Sequence, residues 1–267
     1  MHRLFINILL ASMLMTSPAI SAENLTPISE KLYYEADWSG VNFGKIGIEI
    51  DQQANKADVT CDIRSSGIMA LFVKHSSHTT LTATGNNYVY PDRTYESRYF
   101  TRKKARHVKL TYEDNKISEQ IVEPPDNRDK RPAVPEDDIN SAYDLMSFLL
   151  QMRSEITLAQ KSGKMEFSIN SYDGRRLTQG DFKILGKKTI KIAGKKHETL
   201  MINARRKLLA GYTKSEEDDY NPKEPSMTIY FSNDEKLLPL RMEIPFFMQN
   251  VSATLIKRCE KAGECLL

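Results

Sequence analysis

One tryptophan and three cysteines in 267 residues leave little material for redox or metal chemistry, and the patterns that announce common catalytic sites are missing. There is no His-Glu-x-x-His, no Gly-x-Ser-x-Gly and no Ser-x-x-Lys. That removes the recognisable zincin, α/β-hydrolase and β-lactamase arrangements. An excess of one charge is missing too. Lys and Arg number 38 against 35 Asp and Glu, a formal net charge of +3, which argues against a dedicated nucleic-acid binder. Long apolar runs are also absent after residue 15, so the sequence beyond that point holds no candidate for the roughly 20-residue stretch that a spanning helix needs.

What the N-terminus does have is an address. Arg3 precedes an apolar run from Leu4 to Met15, interrupted only by Asn7 and Ser12, and Ser17-Pro18-Ala19-Ile20-Ser21-Ala22 supplies small residues for cleavage. Residues 1–22 therefore read as a secretory signal peptide rather than a membrane anchor, because the run is too short to span. Residues 23–267 are expected to be one β-rich domain, soluble in the periplasm after cleavage and large enough to bury a substantial core. Export permits a disulfide. Cys259 and Cys265 lie close together in a polar tail and are the favoured pair; Cys61 with Cys259 is the rival, and the odd thiol is expected to be buried.

The stretch Tyr33–Ile50 carries the tryptophan, Trp38, three glycines within eight positions (Gly40, Gly44 and Gly47), and a clean alternation of Ile46, Ile48 and Ile50 against Lys45, Glu49 and Asp51. That is strand with one wet face. The same period recurs at Val59, Cys61 and Ile63; at Val108, Leu110 and Tyr112; at Met165, Phe167 and Ile169; at Met227, Ile229 and Phe231; at Leu238, Leu240, Met242 and Ile244; and at Val251, Ala253 and Leu255. Between Gly67 and Val73 the run Ile68-Met69-Ala70-Leu71-Phe72 predicts a turn or two of helix. Residues 123–138 hold four prolines and a dense run of charges, the composition of a long surface loop. Beyond it Ile139, Ala142, Tyr143, Met146, Leu149, Leu150 and Arg153 recur at three and four, which predicts one long helix over about 139–154 with Asp137 or Asp138 as its cap. Residues 205–225 read as a charged excursion. The fold class expected is mainly β: a curled antiparallel sheet or partial barrel with one long amphipathic helix packed against it.

Five landmarks, spread over residues 31–256, give the chain a family likeness. They are Tyr34-x3-Trp38-x-Gly40-x3-Gly44; Ser66-Gly67 before the apolar run to Phe72; Asp144-Leu145; Asp173-Gly174-Arg175-Arg176; and Asp234-x4-Pro239-x-Arg241. In order and spacing they resemble an exported bacterial family known as domain of unknown function 3108. The resemblance implies a curled, mostly antiparallel sheet in the cell envelope and carries over no catalytic residue.

No catalytic residue, metal ligand or cofactor is assigned. His75-x-x-His78 offers two imidazoles at helical spacing, but zinc needs at least three protein ligands, so surface histidines beside a turn are expected. Arg175 and Arg176 after an Asp-Gly turn offer two forks for a phosphate or carboxylate. The basic clusters at residues 102–106, 187–191, 195–196 and 205–207 would attract anionic headgroups if they shared one face. The reading these features favour is a non-enzymatic envelope factor. Its concave face, with Tyr34, Trp38 and Phe148, would hold an acyl chain or a partner peptide. The alternatives are an envelope enzyme acting on glycan or lipid, and an interaction scaffold whose strand edges accept a partner.

Overall fold

A computed structural model describes residues 25–67, 70, 74–127, 129–222, 227–246, 249–260, 263 and 265–266. Segment 1–22, expected to be a signal peptide, and the helical turn expected at 68–73 (Ala70 apart) lie outside the described residues.

Among these residues fourteen strands share one antiparallel sheet. The first half is a meander: β1 (Ile28–Trp38), β2 (Val41–Gln52), β3 (Lys56–Ser65), β4 (His75–Asn86), β5 (Val89–Thr101), β6 (Ala105–Glu113) and β7 (Lys116–Glu123). Two helices follow, α1 (Glu136–Asn140) and α2 (Leu145–Ser162). The second half holds β8 (Glu166–Tyr172), β9 (Leu177–Ile192), β10 (Lys195–Ala210), a short α3 (Lys214–Asp218), β11 (Met227–Ser232), β12 (Pro239–Phe246), β13 (Gln249–Glu260) and β14 (Cys265–Leu266). β1 pairs with β13, which joins the halves and puts β7 and β8 at the two ends of the path, while β14 pairs with β13 only. The sheet curls without closing into a barrel.

Local chemistry sets the corners. Ser39 and Gly40 both take positive φ, 54° and 79°, between β1 and β2; two such residues make the two-residue hairpin turn whose twist matches the strands it joins. The alternating residues of the first half then face inward. Ile28, Leu32, Tyr34, Ile48, Ile50, Val59, Cys61, Leu81, Tyr95 and Leu110 form one buried cluster. A second cluster joins Met152, Ile156 and Ala159 of α2 to Ile169, Phe182, Ile184, Leu200, Ile202, Ile229 and Phe231. The helix thus lies inside the curl, mainly along β8. Cys259 and Cys265 face each other across β13 and β14 and form the disulfide; Cys61 is a buried free thiol.

The helix departs from the expected one. The period that starts at Ile139 is broken: α1 ends at Asn140, and the 18-residue α2 begins only at Leu145. Its cap is Asp144, not Asp137 or Asp138. Asp144 Oδ1 accepts from the backbone N–H of Met146 (3.0 Å) and Ser147 (2.8 Å). The break serves the edges of the sheet. Tyr143 accepts from Tyr172 N (2.8 Å) and donates to Asn170 O (2.9 Å), while Asn140 Oδ1 accepts from Ile117 N of β7 (3.2 Å). A helix running through 141–144 would keep the Tyr143 N–H and C=O for its own ladder. The excursion expected at 205–225 is likewise shorter than its charge implied, because Arg205, Arg206 and Lys207 lie in β10, paired with β9.

One arginine holds the segment in place. Arg93 of β5 is 2% exposed and Asp144 fully buried; Nε donates to Asp144 Oδ2 at 3.3 Å. Arg93 also donates to Asn115 Oδ1 (2.9 Å) and to the carbonyls of Tyr90 (3.2 Å) and Ala142 (3.4 Å), and its guanidinium lies 3.8 Å over the Tyr112 ring. Removing one member strands a buried charge, at a typical cost of about 3–5 kcal/mol. Asp144→Ala is expected to lose that much in urea unfolding and Asp144→Asn, which keeps the cap acceptor, less. Equal losses for the two would show that the charge contributes nothing.

Candidate functional site

The inward face does not fill the curl. Near the ends of β1, β2, β3, β12 and β13 a cavity of about 440 Å³ is walled by Ala36, Phe43, Ile46, Ile63, Met242, Ile244, Val251 and Ala253, with Arg64, Ser65, His75 and Ser252 supplying its polar edge. A second cavity of about 470 Å³ has Phe148, Gly180, Phe182, Ala204 and Ile229 among its walls, with Arg205, Arg206 and Asp219 at its edge. Met227 and Ile244 line both. The two spaces therefore adjoin, forming a lumen between the sheet halves.

Alternation places these residues. Ala36 shares its face with Leu32 and Tyr34, and Ile46 with Ile48 and Ile50, so the first chamber continues the core toward the strand ends. In the second chamber Phe148 of α2 lies 5.8 Å from the Phe182 ring, which stacks on Phe167 at 5.0 Å. Gly180 makes room for them. A Cβ there would come within 2.9 Å of the Phe182 ring and 3.4 Å of Phe148.

The residues expected to form a site divide into three places. Tyr34 is 1% exposed and donates its hydroxyl to the Pro239 carbonyl at 2.7 Å; burial pushes its phenol well above the ordinary range, and it belongs to the buried core rather than to the lining of either chamber. Trp38 stands at the end of β1 in register with Val41 and Val251 and is 43% exposed, which puts it at the rim next to a chamber residue. Phe148 lines the lumen. Arg175 and Arg176 are elsewhere, in a network behind the β8–β9 turn.

That turn is built by Asp173 and Gly174. Asp173 Oδ1 accepts from the backbone of Arg175 (2.9 Å) and Arg176 (2.7 Å), while Gly174 takes φ 88° with Val108 packed where a side chain would stand. Arg175 then pairs with Asp126 and donates to Pro124 O at 2.7 Å. Arg176 reaches Glu216 at 3.0 Å, and Arg131 pairs with both Glu216 (3.0 Å) and Asp126 (3.4 Å). Each carboxylate thus serves two guanidiniums. The histidines do not converge: His75 and His78 lie on β4, where a spacing of three puts them on opposite faces, His78 paired with Asp62 at 2.9 Å and His75 5.1 Å from the Tyr99 ring.

The family model described as "Protein of unknown function (DUF3108)" matches residues 33–256. The chain belongs to that family. A solved structure from Brucella abortus, a β-barrel-like protein of the domain of unknown function DUF1849, is similar in fold with a TM-score of 0.56 and 12% identity, covering 88% of this chain and 99% of its own. No curated protein matches. At that identity the likeness concerns architecture alone, and the site of this DUF3108 chain rests on its own geometry.

Met227, Met242, Ile244, Ala36 and Ala253 were not singled out by the sequence as lining. Their alternation was visible, but which face opens into a lumen depends on the β1–β13 pairing. Asp126 and Arg131, buried inside a loop that reads as solvated, gave no local signal at all.

The network makes the protein sensitive to acid. Burial alone would raise the Glu216 carboxyl, but bonds from Arg131 and Thr213 and the charge of Arg176 outweigh it and bring it from 4.5 to about 2. A depressed carboxylate stabilises the fold fully above its unfolded pKa and loses that contribution as pH falls through the folded one. Stability is therefore expected to drop between pH 4.5 and about 2. Glu216→Gln should flatten that part of the profile in urea unfolding; a slope equal to wild type would show that the ion pairs are not formed in solution.

Proposed function

We propose that this chain is a non-enzymatic envelope factor that holds the acyl chain of a lipid in the lumen of the curled sheet. The observation that carries the reading is the pair of adjoining chambers sharing Met227 and Ile244. The first has a wall that is almost entirely carbon. Each chamber falls within the roughly 300–1,000 Å³ of ordinary small-molecule sites, and an apolar space that size attracts an apolar occupant rather than water. Trp38, 43% exposed at the end of β1, marks the rim.

The periplasm is the compartment proposed for this activity. The leader-like composition of residues 1–22 supports it, and the Cys259–Cys265 bridge fits an oxidising environment. No helix among the described residues is long and apolar enough to cross a membrane. Strand addition by a partner is less favoured, because Tyr143 and Asn140 already occupy backbone groups on both ends of the sheet.

Protein purified from cells that supply phospholipid is expected to carry lipid detectable by mass spectrometry. Adding fatty acid to delipidated protein is expected to change the emission of Trp38, the only tryptophan. Ala253→Phe, which places a ring in the first chamber, should weaken that response about tenfold or more. Lipid-free protein together with unchanged Trp38 emission would end the proposal.

A further inference from the structure

Outside the lumen, and sharing none of its lining residues, a cleft of about 670 Å³ opens between the β5–β6 turn, the proline-rich loop and the β8–β9 turn. Its charged lining is Lys103, Lys104, Arg106, Lys130, Arg131 and Arg175 against one carboxylate, Asp126. The tertiary structure assembles this set from three stretches that are far apart in sequence.

The floor is built rather than merely basic. Arg175 is 7% exposed and Asp126 8%. Asp126 is divided between Arg175 and Arg131, and Pro124 O takes a second Arg175 nitrogen. Arg175 Nε is then left buried without a hydrogen-bond partner. A buried donor without an acceptor costs free energy, and a guanidinium is never relieved by losing its proton at ordinary pH. Burial lowers the Arg175 pKa; Asp126 opposes this, and the charges of Arg106 and Arg131 add to it. Lys103, Lys104, Arg106 and Lys130 have no ion-pair partner among the described residues. Arg131 is also paired with Glu216 at 3.0 Å, so the shortfall lies in the unpartnered Arg175 Nε at the floor and in the four unpaired cations at the rim.

We propose that this cleft binds a phosphate group, seated over Arg131 and Arg175 and enclosed by Lys103, Lys104, Arg106 and Lys130. Planar forks match phosphate oxygens two at a time, and lysines add charge without demanding geometry. A phosphate carries one charge as a diester and nearly two as a monoester or free ion, with several strong acceptor oxygens that answer more donors than a single carboxylate can. The cleft has room for the phosphate and a small polar body. The group could belong to an anionic lipid headgroup or to a soluble phosphate, and the proposal does not rest on lipid in the lumen.

The test uses the whole mature chain. Inorganic phosphate is titrated calorimetrically, and binding to phosphatidylglycerol vesicles is compared with phosphatidylcholine vesicles by sedimentation. Phosphate or phosphatidylglycerol should bind, more weakly as salt rises. The triple variant K103A/K104A/R106A, altered only at the rim, should weaken binding about tenfold or more. Arg175→Lys, which keeps the charge but not the fork, should also weaken it, with a thermal melt showing the variant folded. Binding of soluble phosphate assigns a free ligand; binding of phosphatidylglycerol vesicles alone assigns a headgroup. Failure to bind either probe, or binding indifferent to both variants, overturns the proposal.

Discussion

Arg93 and Asp144 meet where the two ends of the sheet would otherwise stand open. A sheet that curls without closing leaves a row of unpaired backbone groups on β7 and another on β8, and such edges invite aggregation. The chain deals with them by breaking a helix. The chain leaves helical geometry at residues 141–144, so that Asn140 at the end of α1 serves β7 and Tyr143 serves β8. Gln120 of β7 then reaches Tyr172 at 3.1 Å and the Gly174 carbonyl at 3.2 Å across the gap. All of this depends on a segment with no regular structure of its own, and the Arg93–Asp144 pair fixes that segment. The same carboxylate caps α2, so the segment between the sheet ends and the helix start are fixed by one side chain.

Where the helix starts decides what remains empty. From Asp144 the helix runs inside the curl, and buried Arg153 fastens it further along. Arg153 bonds to Gln52, to Lys236 O at 2.8 Å and to Thr26 O at 3.3 Å. These acceptors are neutral, and burial lowers the Arg153 pKa to about 10. The helix fills the curl beside β8–β11 with Met152, Ile156 and Ala159, while the ends of β1–β3 and β11–β13 have only one another to face. The first chamber is the part of the interior that the helix does not reach. A β8-side helix, a curled sheet and an apolar chamber are thus consequences of one another.

Much of the fold was legible in the chain itself because its signals are local. Inward faces followed from period two at Ile46, Ile48 and Ile50, and the Cys259–Cys265 bridge from short separation. The break at residues 141–144 was not legible. The 3.6-residue period runs straight through it from Ile139 to Arg153, and what interrupts it is demand from β7 and β8, distant in sequence. The site was legible only in fragments. Phe148 and Trp38 stand in or beside the lumen, whereas Tyr34 supports it from behind and Arg175 and Arg176 belong to a separate ionic network. Asp126 and Arg131 read as solvated loop charges because burial of an ion pair depends on partners that composition does not reveal.

By itself, then, the sequence determined most of the strands with their wet and dry faces, the turn at Gly174, the favoured cysteine pair and the absence of the familiar catalytic motifs. Each of these depends on neighbours within a few residues or on simple composition. Tertiary structure alone decided the lumen, the start of α2 at Asp144 and the gathering of Lys103, Lys104, Arg106, Lys130, Arg131 and Arg175 around one carboxylate. Those features depend on which strands meet, and above all on the pairing of β1 with β13, a long-range match between residues more than two hundred positions apart in sequence.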